Sequence, residues 1–584
     1  MRKMMNGSSV KTLKTLIRYL GRGKYWVFLS LLLAVVSVAC SLYIPILTGE
    51  AVDLAIGQGK VDFPGIARIL TQIALTAAGM ALASWLQAAI NNRLALDTAR
   101  DIRVSAFRKI QRIPISSLDS RPAGDVISRV VSDVEQLSDG VLMGMTQLFT
   151  GVTTIIVTLV FMFVKQPVIA AAVVVVTPLS LVVSSFVAKR TFSMFKLQSE
   201  KRADLTTLVN ESVEGMKTVQ AFSQENEMRR RFQEANDNVQ KSSLRAIFFS
   251  SITNPSTRFV NSVVYALVAV IGSLYTISNP SMTVGQLTCF LSYASQYTKP
   301  FNEISGVVAE FQNALACASR VFELIAEEEL PPDPSPSVDI TGVKGEIRLE
   351  NVCFSYDPSK KLIESLNLSV KPGNRVAIVG PTGCGKTTLI NLLMRFYEPD
   401  AGRILVDGTD AKAYSRKDLR SLYGMVLQDT WLVSGTVRDN IRFGCPNATD
   451  EMVEEAAKQA HAHGFIARLP NGYDTLLGED GGGLSQGQKQ LLCIARVMLT
   501  HPQMLILDEA TSSIDTRTEM RIQDAFSRLM RDRTSFIVAH RLSTIRSADV
   551  IVAMKAGKIM EVGTHEELIR KNGFYAELYM SQYK

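Results

Sequence analysis

Residues Gly380–Thr387 have the types and spacing of a phosphate-binding loop. They read Gly-Pro-Thr-Gly-Cys-Gly-Lys-Thr and match the pattern G-x-x-x-x-G-K-[ST]. An apolar run, Arg375–Val379, precedes the loop, and a helix-periodic segment, Thr388–Phe396, follows it. Glycines let successive backbone N–H groups converge, and a helix N-terminus adds positive potential, so the phosphates of a nucleotide can bind there. The pattern therefore predicts a nucleotide site.

Two side chains of the loop have individual predicted roles. Lys386 is expected to reach the β- and γ-phosphates, and the Thr387 hydroxyl is expected to ligate Mg²⁺. The predicted cofactor-binding residues of the loop are Gly380, Pro381, Thr382, Gly383, Cys384, Gly385, Lys386, Thr387 and Thr388.

Further polar residues follow predicted strands, where ligands bind in open α/β sheets. Asp508 and Glu509 end the apolar run that starts at Met504; Asp508 suits Mg²⁺ held through water, and Glu509 suits a base for the attacking water. His540 follows the strand Ser535–Val538 and is expected to contact a γ-phosphate. Gln428 follows Met425–Leu427 and is expected to sense the metal and the water.

Two more elements extend this set. Tyr356 closes the alternating run Ile347–Tyr356 and offers a ring for adenine stacking. Leu484–Gln488 reads Leu-Ser-Gln-Gly-Gln and precedes the helical segment Lys489–Leu499. Ser485 suits a helix N-cap, so its hydroxyl and the following N–H groups form a second anion site. A domain that already has one phosphate site is predicted to use the second one on the nucleotide of another domain.

These motifs together resemble the nucleotide-binding domain of ABC transporters. The signature L-S-x-G-Q, the tyrosine Tyr356, Gln428, the run Ser513-Ile514-Asp515 after Glu509, and His540 all match that family. The resemblance implies ATP and Mg²⁺ as cofactors and a catalytic role for Glu509, His540 and Gln428. It implies that the residues contacting the nucleotide outside the loop are Tyr356, Ser485, Gln486, Gly487, Gln488 and Asp508, and that the metal is held by Thr387, Gln428 and Asp508.

One residue departs from the family pattern. The family has glycine at the third position of the signature, where this chain has Gln486. A side chain there is expected to crowd or reposition the γ-phosphate of the opposing ATP.

The elements that must position these residues begin near Gly345. From there, short β-rich runs alternate with helical ones, which indicates an α/β domain around a largely parallel sheet. The proline-rich segment Pro331–Pro336 ends the preceding helix and marks a domain boundary.

The first 320 residues hold nearly all of the apolar excess of a chain whose mean hydropathy is +0.14. Uncharged runs there are long enough to cross a bilayer. A fifth run, Phe259–Thr298, is too long for one crossing and is interrupted at Ser278-Asn279-Pro280, so it is interpreted as two spans. The other four predicted spans are Tyr25–Gly49, Ile69–Asn92, Gly140–Val164 and Gln166–Ala188.

The charges give these spans an orientation. Met1–Lys24 carries basic and no acidic residues, and the long connections Arg93–Gln136 and Arg190–Arg245 are rich in arginine. The positive-inside rule places the N-terminus and both connections in the cytoplasm. Each connection is expected to contain two long helices that meet at a short segment, near Pro114–Asp119 and Ala221–Asn226.

The predicted fold is multidomain. Its parts are an amphipathic N-terminal segment (1–24) on the membrane surface, a six-span all-α transmembrane domain (25–325), a linker (326–344) and an α/β P-loop nucleotide-binding domain (345–584). The resemblance makes the spans an exporter-type domain in the cytoplasmic membrane of a bacterium. The formal charge of +8 does not indicate nucleic acid, because the basic residues flank apolar segments. Seven cysteines without a C-x-x-C pair indicate neither disulfides nor zinc.

The function this predicts is ATP-driven export of small amphipathic or hydrophobic compounds by a dimer of half-transporters. A lipid or peptide exporter or flippase remains an alternative, as does an ATP-gated regulator that transports nothing. The L-S-Q-G-Q variant resembles the signature in catalytically complete halves of asymmetric bacterial exporters. This resemblance makes a heterodimer the favoured partner arrangement, with a homodimer as the alternative. The aromatic stripe Phe290, Tyr293, Tyr297 and Phe301 is expected to stack on a substrate, to pack between helices or to face lipid.

Overall fold

The computed structural model describes residues 7–56, 61–278, 282–427, 430–478, 481–508, 514–538 and 542–583. They form two compact units. The first comprises Met1–Arg112 and Pro122–Glu327, and the second comprises Ile113–Arg121 and Glu328–Lys584. The short segment Ile113–Arg121 therefore belongs with the C-terminal part of the chain.

The N-terminal part of the chain is helical. Its helices are α1 (Gly7–Leu20), α2 (Lys24–Ala55), α3 (Phe63–Ile110), α4 (Ile115–Asp119), α5 (Ala123–Val130), α6 (Ser132–Met143), α7 (Phe149–Lys165), α8 (Pro167–Glu214), α9 (Met216–Ala221), α10 (Glu225–Ser278) and α11 (Val284–Ala326). Five residues in π-helical geometry, Gly144–Leu148, join α6 to α7.

Three stretches in the described part of the chain are long and apolar enough to cross a membrane. They are Lys24–Ala55, Phe63–Ile110 and Ala123–Lys165, with mean hydropathies of 2.5, 1.6 and 2.1 over their most apolar windows. A shorter apolar helix, Asn261–Ile277, lies within α10. The first three predicted spans fall on these stretches, and the number of six remains a prediction.

Helices of the first unit pack through apolar surfaces and a few buried polar pairs. Helix α2 packs along α3, and α8 packs along α10. The Ser30 hydroxyl donates to the Asn91 carboxamide at 2.6 Å, and both side chains are buried. Polar pairs of this kind join helices where lipid supplies no hydrophobic driving force.

The amphipathic helix α1 packs on protein. Leu16 is 3% exposed and lies in a core shared with α3, α6 and α11. The ring of Tyr19 stacks on that of Phe322 with centroids 5.9 Å apart. The prediction that α1 lies on the membrane surface is therefore incomplete, because the apolar face of α1 also packs on helices of its own chain.

The aromatic stripe on α11 packs between helices in this structure. Phe290, Tyr293 and Tyr297 are 2%, 0% and 6% exposed. The Tyr293 hydroxyl donates to the Leu42 carbonyl at 2.8 Å, which joins α11 to α2. Of the sequence-based alternatives, helix packing fits these three residues. The side chain of Phe301 lies outside the described part.

Helices α2 and α11 also cross closely at two glycines. A Cβ atom on Gly49 would lie 2.5 Å from the Gly285 carbonyl oxygen, and one on Gly285 would overlap the Gly49 carbonyl oxygen. Asp53 accepts hydrogen bonds from Thr283 Oγ1 (2.6 Å) and the Gly285 N–H (2.8 Å) beside this crossing. The backbones thus approach as closely as glycine allows, and a carboxylate caps the start of α11.

We expect Gly285→Ala to destabilise the helix bundle by about 1–3 kcal/mol, because the new methyl group must displace backbone atoms. Gly79→Ala in α3 is the matched control, since a Cβ atom there meets nothing within 4 Å. Thermal unfolding in detergent measures both variants. Equal midpoints for the two would show that the crossing tolerates separation.

The C-terminal part of the chain alternates strands and helices. Its strands are β1 (Ile347–Phe354), β2 (Ile363–Val370), β3 (Arg375–Val379), β4 (Ala401–Val406), β5 (Thr409–Asp410), β6 (Tyr423–Val426), β7 (Gly435–Thr436), β8 (Leu476–Leu477), β9 (Met504–Asp508), β10 (Thr534–Val538), β11 (Val550–Lys555) and β12 (Lys558–Gly563). Its helices are α12 (Lys386–Leu393), α13 (Arg416–Ser421), α14 (Val437–Arg442), α15 (Asp450–Gln459), α16 (His463–Ile466), α17 (Gln486–Thr500), α18 (Thr516–Leu529), α19 (Leu542–Arg546), α20 (His565–Lys571) and α21 (Phe574–Tyr583).

The main sheet has the order β12-β11-β3-β10-β9-β6 and is parallel except for β12. Its central strands are buried on both faces: Leu505 and Leu507 of β9 lie in one core, and Met504 and Ile506 lie in the other. Such two-sided burial explains the continuous apolar runs in the sequence. A second sheet, β2-β1-β4-β5, is antiparallel. The sequence analysis anticipated the parallel sheet and missed the antiparallel one.

Candidate nucleotide-binding site

The phosphate-binding loop connects β3 to α12. Helix α12 begins at Lys386, two residues earlier than the sequence pattern indicated, and Gly385 before it has φ +101°. Gly383 also has positive φ, +80°. Both values lie where side chains other than hydrogen are strained, so the glycines allow the chain to turn directly into the helix. The first amides of α12 have no carbonyl one turn earlier and can bind an anion.

Lys386 lies over this loop. Its Nζ donates to the carbonyl oxygens of Gly380 (2.8 Å) and Pro381 (3.1 Å). The Thr387 side chain is exposed at the start of α12, whereas Cys384 and Thr388 are buried. The Lys386 ammonium and the Thr387 hydroxyl are therefore side-chain groups available to phosphate and metal, whereas the Cys384 N–H donates to the Pro381 carbonyl at 3.3 Å.

The register of the main sheet aligns Asp508 with the end of β3. Val538 of β10 pairs with Asp508 on one side and with Ile378 on the other. The phosphate loop starts two residues beyond Ile378, at Gly380. Asp508 is thus the last residue of β9, the second strand from β3, and it lies at the same sheet edge as the phosphate loop.

The three predicted catalytic residues, Gln428, Glu509 and His540, lie outside the described residues. The described strands that precede them in sequence, β6, β9 and β10, end at the same edge of the sheet, because Val426 pairs with Leu507 and Val538 pairs with Asp508. Their catalytic roles remain predictions.

Tyr356 follows β1 and is 50% exposed. Its ring makes edge contacts with Phe354 (centroids 4.9 Å apart) and Tyr397 (5.0 Å). The Asn391 amide on α12 donates to its hydroxyl at 3.2 Å. Neighbours thus hold the ring while half of its surface stays available for a base. The sequence analysis did not single out Asn391 and Tyr397, although an aromatic residue directly after the phosphate-loop helix is a signal that points to the same site.

The signature segment begins α17. The Ser485 hydroxyl accepts from the Gln488 N–H, and the Gln488 carboxamide accepts from the Ser485 N–H at 2.9 Å. This reciprocal cap makes Ser485 the N-cap that the sequence predicted. Gly487 is required by packing, since a Cβ atom there would overlap Thr518 and lie 3.1 Å from Ile514 Cγ2.

The departing residue of the signature has a partner within its own chain. Gln486 Nε2 donates to Thr430 Oγ1 at 3.2 Å. Thr430 comes two residues after Gln428 in sequence. The Gln486 carboxamide thus binds the segment that follows β6. Glycine at position 486 could not make this side-chain hydrogen bond.

We expect Gln486→Ala and Thr430→Val each to lower kcat/KM for ATP by about two- to tenfold, the range of one neutral hydrogen bond. The double variant should be no worse than the more affected single variant, because both remove one interaction. Thr430→Ser, which keeps the hydroxyl, is the matched control. Steady-state ATPase kinetics measure all four, and additive effects would show that the hydrogen bond has no functional weight.

Both halves of the chain match known families. Residues 27–301 match the family described as ABC transporter transmembrane region, and residues 363–512 match the family described as ABC transporter. The first family covers the helical part of the chain, and the second covers the phosphate loop, the signature and β9.

Relatives match over nearly the whole chain. The fatty acid ABC transporter ATP-binding/permease protein of Mycobacterium bovis is 41% identical over 522 residues, covering 89% of this chain and 82% of the relative. A putative multidrug export ATP-binding/permease protein of Staphylococcus aureus is 35% identical over 580 residues, covering 98% of this chain and 100% of the relative. The solved structure of a bacterial Atm1-family ABC exporter with ATP bound superimposes with a TM-score of 0.78 at 27% identity, covering 97% of this chain and 99% of that one.

A P-loop ATPase domain that follows apolar membrane-spanning helices on one chain defines a membrane transport ATPase. The chain belongs to the ABC transporter family. It is a half-transporter with one transmembrane region and one ATP-binding domain, so it works as part of a dimer. Members of this family hydrolyse ATP to drive transport.

Proposed function

We propose that this chain is one half of an ATP-driven exporter of small amphipathic or hydrophobic compounds. The observation that carries the proposal is the presence on one chain of the phosphate loop, the capped signature helix and the apolar helices. A phosphate site and a second anion site on one domain suit two nucleotides held between two ATP-binding domains. ATP binding closes this pair, and hydrolysis reopens it, because the γ-phosphate makes contacts that only the closed state offers.

The chemistry divides among residues on the two sides of each nucleotide. Tyr356 stacks on adenine, Lys386 neutralises the β- and γ-phosphates, and Ser485 binds the γ-phosphate of the nucleotide on the partner chain. Glu509 takes a proton from the attacking water, while Gln428 and His540 orient the water and the γ-phosphate.

Magnesium suits the donors at this sheet edge. Mg²⁺ prefers oxygen ligands and keeps several waters and substrate phosphate oxygens, so few protein ligands are needed. The exposed Thr387 hydroxyl and the Asp508 carboxylate are such oxygens. Thr387 would hold the ion directly, Asp508 would hold it through water, and the bound ion would neutralise charge on the phosphates.

The lining of one cavity supports an amphipathic substrate. A cavity of about 230 Å³ lies between the ends of α2 and α7 and the start of α11, and it is lined by Ile46, Gly49, Glu50, Asp53, Lys165, Gln166, Gly285, Gln286, Cys289 and Phe290. Charged groups of both signs meet apolar side chains there. The relative named as a fatty acid transporter supports a lipid as the second candidate substrate class.

The proposed location is the cytoplasmic membrane of a bacterium, with the ATP-binding domain in the cytoplasm. The basic residues of α1 and the connections near α4 and α9 support this orientation through the positive-inside rule. A cysteine-accessibility experiment on whole cells, with single cysteines placed in α9 and between α2 and α3, tests it.

Transport is tested with inverted membrane vesicles. ATP-dependent accumulation of a cationic dye, compared with that of a labelled fatty acid, separates the two substrate classes. Vesicles that carry Glu509→Gln are the control, since they contain the same helices without turnover. ATP hydrolysis without accumulation of any tested compound, and without stimulation by it, would support a regulator instead.

The partner is proposed to be a second, different half-transporter. The altered signature residue Gln486 faces the partner's nucleotide, so a heterodimer confines the alteration to one of two sites. The expected partner has an unaltered L-S-G-G-Q and lacks the glutamate after its own strand aspartate. Expressing this chain alone and with a neighbouring half-transporter gene tests the idea. Full substrate-stimulated ATPase from a monodisperse dimer of this chain alone would falsify it.

We expect Phe222→Ala to uncouple hydrolysis from transport. Phe222 lies between α9 and α10 and is 72% exposed. Such exposure of a large aromatic side chain is expected for a residue that binds another protein surface. Basal ATPase should persist while substrate stimulation falls by at least about fivefold, the effect of losing an interface anchor. Phe232→Ala, on α10 and 44% exposed, is the matched control. Loss of basal activity in a folded Phe222→Ala protein would indicate a structural role only.

A further inference from the structure

The ring of Tyr356 belongs to a group of three aromatic residues. Its members, Phe354, Tyr356 and Tyr397, make mutual edge contacts. The ring centroids lie 4.9 to 5.5 Å apart, and the interplanar angles are 69° to 88°. Each such edge contact contributes about 0.5–1.5 kcal/mol beyond the burial of area, so each ring stabilises the position of the other two. The position of Tyr356 therefore depends on that of Tyr397.

Tyr397 has a hydroxyl partner in a distant part of the sequence. Its Oη donates to Asp119 Oδ2 at 2.5 Å. Asp119 is the last residue of α4, in the segment Ile113–Arg121, which belongs to the same compact unit. This segment is joined covalently to the long helix α3 on one side and to α5 on the other. Burial and the Asp119 carboxylate raise the pKa of Tyr397, so its hydroxyl stays protonated and donates.

Hydrogen bonds of Arg395 hold the turn that carries Tyr397. Arg395, at φ +51°, ends the turn after α12, and its side chain is only 9% exposed. Its guanidinium donates to Glu398 at 2.7 Å and to the Tyr414 carbonyl at 3.0 Å. Local hydrogen bonds thus hold the turn that carries Tyr397, whereas Asp119 comes from a segment 278 residues away in sequence.

We propose that Tyr397 is a positioning residue through which the segment Ile113–Arg121 controls the affinity of this chain for the adenine base. With Asp119 bound, Tyr397 holds the Tyr356 ring where it stacks on adenine. Without Asp119, the ring group loosens, and adenine binds more weakly. The inference rests on the proposed role of Tyr356 and adds a control that no part of that role requires.

The coupling is reciprocal, since linkage between two binding events has the same magnitude in both directions. Adenine on Tyr356 orders Tyr397 and strengthens its bond to Asp119. Binding of the base thereby stabilises the segment Ile113–Arg121, which joins α3 to α5. Inorganic triphosphate lacks the base, so its binding does not stabilise this segment through Tyr356 and Tyr397.

The first test is equilibrium binding of ATP to the full-length chain in lipid nanodiscs, without Mg²⁺ so that no hydrolysis occurs. We expect Tyr397→Phe and Asp119→Ala each to weaken ATP binding about three- to tenfold, the range of one typical net hydrogen bond, because the lost bond acts on adenine only through the Tyr356 ring. Binding of inorganic triphosphate should not change. Tyr423→Phe is the matched control, because it removes a tyrosine hydroxyl that is buried without a hydrogen-bond partner.

A double-mutant cycle separates positioning from general damage. In a Tyr356→Ala background, which should itself weaken ATP binding about tenfold or more through lost stacking, Tyr397→Phe should have no further effect. If Tyr356→Ala leaves ATP affinity unchanged, the proposed adenine site is wrong. If Tyr356→Ala weakens binding but Tyr397→Phe and Asp119→Ala do not, the adenine site stands and the positioning role is overturned.

Hydrogen exchange gives the reverse direction. ATP should slow exchange of the amides in Ile113–Arg121 about three- to tenfold in the unaltered chain, matching the binding effect. Inorganic triphosphate should not slow it, and in Tyr397→Phe ATP should not slow it either. If ATP and inorganic triphosphate slowed exchange in Ile113–Arg121 equally, the proposed coupling between adenine and this segment would be overturned.

Discussion

Glu509→Gln is expected to lower ATP hydrolysis by about 10²- to 10⁴-fold, the contribution of a positioned general base. The substitution leaves the phosphate loop and Tyr356 intact, so ATP affinity should stay within about twofold of the original value. ATP should then hold the two ATP-binding domains together, since the γ-phosphate that stabilises the closed state is no longer removed.

Phosphate release and ATP binding are measured on the assembly that hydrolyses ATP, and the dimer is followed by size-exclusion chromatography with ATP and Mg²⁺. Glu566→Gln, at an 81% exposed glutamate of α20, is the matched control. Turnover within about threefold of the original in Glu509→Gln would mean that another group accepts the proton.

Lys386→Met is expected to weaken ATP binding by at least about tenfold. The ammonium is the cation of the loop, and hydrogen bonds to charged groups contribute about 1.5–3 kcal/mol each. Methionine keeps most of the side-chain length, so the loop loses charge rather than packing. The contacts of Nζ with the carbonyl oxygens of Gly380 and Pro381 keep the side chain over the loop.

Lys371→Met, at an exposed lysine before β3, is the matched control. Direct binding of ATP, together with thermal unfolding, distinguishes lost affinity from lost folding. ATP affinity that is unchanged in a folded Lys386→Met protein would contradict the assignment of Lys386 to the phosphates. The two predictions also separate from each other, because Glu509→Gln affects the rate and Lys386→Met affects binding.

Local sequence determined the parts of the site that depend on backbone chemistry. Glycines at 383 and 385 were recognisable because only glycine adopts the positive φ that the loop needs. Ser485 was recognisable as a cap because its hydroxyl, with Gln488 three residues on, satisfies amides at a helix start. The strand ending at Asp508 was recognisable because a strand covered on both faces is continuously apolar.

The long apolar helices were also determined by sequence, since a bilayer imposes length and hydropathy on any span. The antiparallel sheet was not anticipated although Ile347–Tyr356 alternates, because the pairing of β1 with β2 and β4 joins separate segments and no local pattern specifies it. The apolar face of α1 suited either lipid or protein, and only the packing of Leu16 against α3 and α11 decided between them.

Tertiary structure alone decided the contacts between residues far apart in sequence. Gln486 meets Thr430 across 56 residues, and Tyr397 meets Asp119 across 278. No local propensity encodes such pairs, because each depends on how whole elements pack. The sequence by itself determined that this protein binds a nucleotide at a membrane and belongs to a transport family. The tertiary structure decided which side chains hold Tyr356 and which residue of the same chain binds Gln486.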